Sequence, residues 1–237
     1  MRNAILLSYK KWFSTQIKYI MKKNSELQRE VQNAIKWEPS MHAAEIGVTA
    51  KDGVITLSGS VDSYSKKSNA ERATKNVIGV RAIAEDIKIN YGPSFSKDDT
   101  QIAHDILNAW KNNDEVPESK LTVKVENGRA RLEGVVAWKY QEEASTDAIK
   151  NLSGLKGITN LIKVKAQSRD SLEKKEIKGA LKRNWTINSK DIKVEVSKNN
   201  VKLTGLVHSL YQKDEAGRLA WNTPGVSSVE NELAVIY

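Results

Sequence analysis

Cysteine is absent from the 237-residue chain, which excludes disulfides, thiolate metal centres and cysteine nucleophiles at one stroke. Histidine is scarce: His42, His104 and His208 fall at unrelated places in the repeat described below. A shared metal or general-base role keeps register, so these read as surface residues, and no spacing resembles a zinc or calcium site. No long apolar run is present either. Lys10 and Lys11 break the stretch that ends at Leu7, so neither a signal peptide nor a membrane span is recognised, and the expected location is the cytoplasm or a peripheral membrane position. The net charge of +9 is confined to the two ends: +6 over residues 1–23, zero over 24–92 and 93–167, and +3 over 168–237. A domain that tracks phosphates spreads Lys and Arg over its own face, so nucleic acid is not an expected partner.

What the chain does contain is one strand written three times. Asp52 to Val61 returns as Asn127 to Val136 and again as Lys198 to Val207. Each copy opens on a Gly or Asn suited to a tight hairpin turn, alternates apolar and polar residues, and carries a Gly two residues before a Val. The intervals from Gly59 to Gly134 and from Gly134 to Gly205 are nearly equal. They are too long for a solenoid repeat and right for small independent domains. The expected division is a leader, residues 1–23, and three units, residues 24–92, 93–167 and 168–237.

The periodicity inside each unit predicts helix, strand, strand, helix, strand. In the first, Ser25 and Gln28 form a capping box for a helix carrying Leu27, Val31, Ala34 and Ile35. Strands follow at Ile46–Thr49 and Val54–Val61, then a helix over Lys66–Val77 and a last strand through Ile87 and Ile89. In the second, Ser96 to Asp99 cap a helix bearing Ile102, Ile106 and Trp110, and Ala144, Ala148 and Leu152 belong to its second helix. In the third, Asp170 caps a helix with Ile177 and Leu181, and Ala216 and Leu219 lie in the second. Gly79, Gly154 and Gly225 end the second helices, each at the same offset in sequence from the strand glycine of its own unit. Gly53 and Gly128 serve the hairpin turns, and Gly59, Gly134 and Gly205 mark a kink or close approach. The fold class is therefore α+β, an α/β sandwich, with each three-stranded sheet packed on two helices.

Candidate contact residues are few. Ile5, Leu6, Tyr9, Trp12, Phe13, Ile17 and Ile20 would share one helical side of the leader with Lys10 and Lys11 elsewhere, the pattern of a basic helix lying in a membrane interface; docking on the first domain and a disordered leader are the alternatives, and Met21 is a second plausible start. Lys174, Lys178 and Lys182 line up at spacings of four, with Lys175 and Arg183 beside them, and either form an ordinary solvated helix face or could meet lipid phosphates or an acidic protein. The tryptophans share no common offset; most read as packing, with Trp138, Tyr140 and Trp221 as possible exposed contacts, and Tyr64 and Tyr211 as possible contacts near the second helices. Ser63–Lys66 matches a serine–lysine pattern but reads as a helix cap. Gly154–Gly157 matches a nucleic-acid-binding Gly-x-x-Gly but falls between a helix and a strand.

The strand motif Ile55-Thr56-Leu57-Ser58-Gly59-Ser60-Val61, its copies at Ala130–Val136 and Val201–Val207, and the turns Gly79-Val80, Gly154-Leu155 and Gly225-Val226 resemble the BON domain. The resemblance covers residues from about 25 to 237. It implies three tandem BON units of the kind found in bacterial envelope proteins, including osmotically inducible periplasmic ones, which offers the periplasm as the alternative location. It further implies a non-enzymatic, stress-related binding module that associates with phospholipid surfaces or envelope components, with no cofactor, no metal and no catalytic residue to carry over. With no cysteine to hold a lipid, an acyl-anchored version is not expected. A soluble module that binds a protein partner or acts as a chaperone is the alternative function, and the oligomeric state is left open.

Overall fold

A computed structural model describes residues 22–41, 46–92, 97–165, 174–184, 187, 191–223 and 225–236. The first unit comprises α1 (Asn24–Lys36), β1 (Ile46–Lys51), β2 (Val54–Val61), α2 (Tyr64–Asn76) and β3 (Ala82–Ile89). The second comprises α3 (Asp99–Lys111), a 3-10 turn (Glu118–Lys120), β4 (Leu121–Glu126), β5 (Arg129–Val136), α4 (Lys139–Asp147) and β6 (Gly157–Val164). The third comprises α5 (Lys174–Arg183), β7 (Ile192–Ser197), β8 (Asn200–Val207), α6 (Leu210–Trp221) and β9 (Ser228–Val235).

The repeated strand is the centre of each sheet, with its hairpin partner antiparallel on one side and the last strand parallel on the other. Gly59 stands opposite Ile46 and Ile87, Gly134 opposite Leu121 and Ile162, and Gly205 opposite Ile192 and Leu233. The three sheets therefore share one register. The repeat glycines Gly53, Gly59, Gly79, Gly128, Gly134, Gly154, Gly205 and Gly225 all have positive φ. At Gly134 and Gly205 a close approach adds to this, because a Cβ would run into the carbonyl oxygens of Lys120 and Asp191. In the third hairpin the left-handed residue is Lys198, with φ 56°.

Each core lies between one sheet face and the two helices. In the first unit Ile55, Leu57 and Val61 of β2 meet Leu27, Val31 and Ile35 of α1 and Ala70 and Ala73 of α2. Alternation in the strand and i, i+4 spacing in the helix put these side chains on facing surfaces. Ala130, Leu132, Val136, Ile102, Ile106 and Trp110 take the same places in the second unit, and Val201, Leu203, Val207, Ile177 and Leu181 in the third.

Two helix ends, the start of α1 and the end of α4, differ from expectation, and the cap of α3 falls inside the expected stretch Ser96–Asp99. α1 starts at Asn24 with Lys23 as its cap residue and no side-chain cap, so Ser25 sits inside the first turn; Asn24 instead accepts a hydrogen bond from the Asp52 amide at 2.9 Å, tying the helix to the hairpin turn. α3 is capped by Asp98, whose carboxylate accepts from the Gln101 amide at 2.7 Å while Gln101 answers at the Asp98 amide. α4 stops at Asp147. Ala148 and Leu152 lie beyond it in a chain tightened by Ile149 N–H to Thr146 O and Leu152 N–H to Ile149 O bonds, and Ile149 is the fully buried residue there. The caps expected at Ser96 and Asp170 lie outside the described residues.

The three units touch one another. Tyr64 packs against the core of the second unit, and the Tyr91 hydroxyl donates to the Leu155 carbonyl at 2.5 Å and accepts from the Tyr64 amide. Burial pushes both phenols above their ordinary pKa, Tyr64 with added help from the carboxylates of Glu71 and Glu85. Leu210 packs against the core of the first unit, beside an ion pair between Lys75 and Asp214 at 3.1 Å. Arg218 of the third unit approaches Glu143 of the second at 4.0 Å.

Candidate functional site

The cationic helix of the third unit is amphipathic for a simple reason: Ile177 and Leu181, one helical turn apart, are buried, while Lys178 between them faces water and Gly179 and Ala180 are half-buried. Lys175, Lys178, Lys182 and Arg183 are all exposed, and Lys174 opens the helix. Lys182 and Arg183 occupy the last turn, where the helix dipole favours cations. Among the described residues none of these exposed cations is in an ion pair. Beside them, between α5 and α6, lies a cavity of about 700 Å³ bounded by Lys175, Glu176, Gly179, Arg183, Leu219 and Asn222. The arrangement offers a largely apolar floor between Lys175 and Arg183, with the Glu176 carboxylate beside Lys175 leaving one net positive charge on the lining.

The first helices of the other units carry part of this face. Lys36, Lys111 and Lys182 stand at one shared position before the strand-two glycine, and all are exposed. At the next position come Trp37, Asn112 and Arg183, also exposed. Trp37 is 83% exposed, against the expectation that most tryptophans pack. Its position just past the end of α1 points it away from both helix and sheet. Trp37, Lys36 and Lys111 were not among the candidates from sequence, although the offset that Lys36 and Lys111 share with Lys182 was the signal available for the two lysines. Of the others, Trp110 is fully buried with its indole N–H donating to the Ser145 carbonyl at 2.9 Å. Trp221 is half-buried against the third core, and Trp138 and Tyr140 are exposed. Lys10, Lys11, Trp12, Trp185 and His42 lie outside the described residues.

Other candidates turn out to be structural. Ser63 caps α2, accepting from the Lys66 amide at 3.4 Å, and Lys66 pairs with Asp62 at 2.7 Å; that hydrogen bond holds the Asp62 carboxyl below its ordinary range. Gly154 turns the chain after the second helix at φ 86°, and Gly157 opens β6. A polar cavity of about 670 Å³ lies between the first and second units near Asn90, Tyr91, Lys97 and Lys156, but both its carboxylates are committed, Asp99 to the Asn127 and Gly128 amides at 2.8 Å and Asp98 to the Gln101 amide. His104 and His208 are exposed. Among the described residues no group of three His, Cys, Asp or Glu could hold a metal ion, and no helix is long and apolar enough to cross a membrane.

The BON domain model matches residues 23–91, 98–166 and 170–237. Osmotically-inducible protein Y of Escherichia coli (strain K12) is 28% identical over 144 residues, covering 57% of this chain and 72% of that protein. Among solved structures, CdsD, a structural protein of the type III secretion system of Chlamydia trachomatis, is 16% identical, covers 89% of this chain and 92% of that one, and has a TM-score of 0.25. The C-terminal domain of CdsD gives 15%, 91%, 100% and 0.26.

Proposed function

The chain belongs to the BON domain family, and on that footing we propose that it is a non-enzymatic binding protein that docks on anionic phospholipid surfaces through α5, with Trp37 as an interfacial contact on the first unit. The carrying observation is the exposed set Lys175, Lys178, Lys182 and Arg183, unpaired among the described residues and placed beside an apolar-floored cavity. Near an anionic membrane each such cation contributes about 1 kcal/mol, and an exposed tryptophan suits the boundary between headgroups and chains. The likeness to an osmotically inducible protein supports service under osmotic stress.

Co-sedimentation with phosphatidylglycerol vesicles, and with phosphatidylcholine vesicles as control, tests this. Binding to the anionic vesicles alone, weakening as salt rises, is expected. Replacing Lys175, Lys178 and Lys182 together by Gln should lower the affinity by roughly ten- to a hundredfold. Equal binding to both lipids would sink the proposal, and binding to neither would favour a soluble module that recognises a protein partner.

A further inference from the structure

We infer that the three units close into a ring of one repeated contact, and that the contact between the second and third units is a salt-sensitive seam held shut by charge. The contacts between units share one sense. Tyr64 and Leu210 hold the same register position, shortly after the strand-two glycine of their own units. Each packs against the core of another unit: Tyr64 from the first onto the second, Leu210 from the third onto the first. Asp214 and Glu143 share a second register position, one turn further along the helix. Asp214 reaches from the third unit to Lys75 of the first, and Glu143 from the second to Arg218 of the third. First to second, second to third and third back to first is a head-to-tail contact that closes after three copies, as in a cyclic trimer.

The seam differs at one register position. Where Tyr64 and Leu210 insert, the second unit has Lys139, which pairs with Glu142 of its own helix. Arg218 is likewise engaged at home, held by two hydrogen bonds to Glu215 at 2.7 and 2.8 Å, and meets Glu143 only at 4.0 Å. A cavity of about 460 Å³, bounded by Glu142, Glu143, Asp147, Asn160 and Arg218, opens at this contact. Small pivots at the two apolar contacts add up there. An exposed pair is weakened as the screening length falls from about 10 Å at 0.1 M salt to about 3 Å at 1 M, whereas an inserted apolar side chain is not.

The chain has no cysteine, so pairs of introduced cysteines carry spin labels without background. Thr49, Thr159 and Ser197, exposed strand residues of the first, second and third units, replaced by Cys two at a time, report each contact by dipolar spectroscopy. Between about 0.05 and 1 M salt the Thr159/Ser197 distance distribution should lengthen and broaden well beyond the other two. Arg218→Gln and Glu143→Gln should each give the broad distribution at low salt, with circular dichroism checking that the variant folds. Lys139→Leu, which supplies the missing apolar side chain, should abolish the salt response. A seam distance indifferent to salt, or three distances changing alike, overturns the inference.

Discussion

Two tryptophans stand near the end of the same helix in neighbouring units, and only one of them belongs to the fold. Trp110 takes the register position at which the first and third units place Ile35 and Leu181, and all three are buried. Trp37 lies two positions nearer the strand-two glycine, where the other units place Asn112 and Arg183, and all three are exposed. Burial here is a property of the register and not of the residue type. A large apolar side chain at a solvent position contributes nothing to the core, which makes Trp37 a candidate for contact with something outside the chain.

The largest effect that would test this difference is Trp110→Ala. It empties a fully buried site and leaves the Ser145 carbonyl without its donor, so a loss of about 3–5 kcal/mol is expected from urea unfolding. A loss below about 1 kcal/mol would break the claim that this register carries the core. Next come Gly134→Ala and Gly205→Ala. Each forces a side chain onto a positive φ and into a backbone carbonyl, at a cost of roughly 2–4 kcal/mol. The same change at Gly92, where a Cβ meets nothing, should leave the urea midpoint in place.

The strands, the turn glycines and the repeat were legible in the sequence because period-two alternation and positive φ are local properties. Ile55, Leu57 and Val61 face the core for the same reason that Val54 and Ser60 do not. The cationic face of α5 was legible too, since Ile177 and Leu181 fix which side is buried. Helix ends were less so. Asn24 is drawn to the Asp52 amide across the fold, and α4 gives way to a tighter turn whose buried residue is Ile149, at the register of Thr74 and Ala220. The contacts between units were not legible, because Tyr64 and Leu210 look like ordinary first-turn residues until a second core is placed against them.

Alkaline pH probes one of those contacts with a smaller expected effect. Burial raises the pKa of Tyr64 and Tyr91 above the ordinary phenol value of about 10. The unfolded chain therefore ionises first. The stability these groups contribute is full below about pH 10 and is lost as pH rises through their higher folded values. Replacing both by Phe keeps the rings, removes the hydrogen bond to Leu155 at a cost of about 1 kcal/mol, and should flatten the fall in unfolding midpoint between about pH 9 and 11. An unchanged alkaline slope would show that neither phenol is held by the contact.

The smallest change in stability belongs to Trp37, and it separates fold from function most cleanly. With 83% of its surface already in water, Trp37→Ala should move the unfolding free energy by no more than about 0.5 kcal/mol. An aromatic ring that enters a membrane interface would nonetheless be missed there, so binding to phosphatidylglycerol vesicles should weaken several-fold while the salt dependence, set by the α5 lysines, keeps its slope. Trp37→Phe should restore part of the affinity. If the alanine variant lost stability as Trp110→Ala does, the rule that register decides burial would fail; if it kept full vesicle affinity, Trp37 would be a surface residue that the membrane does not use.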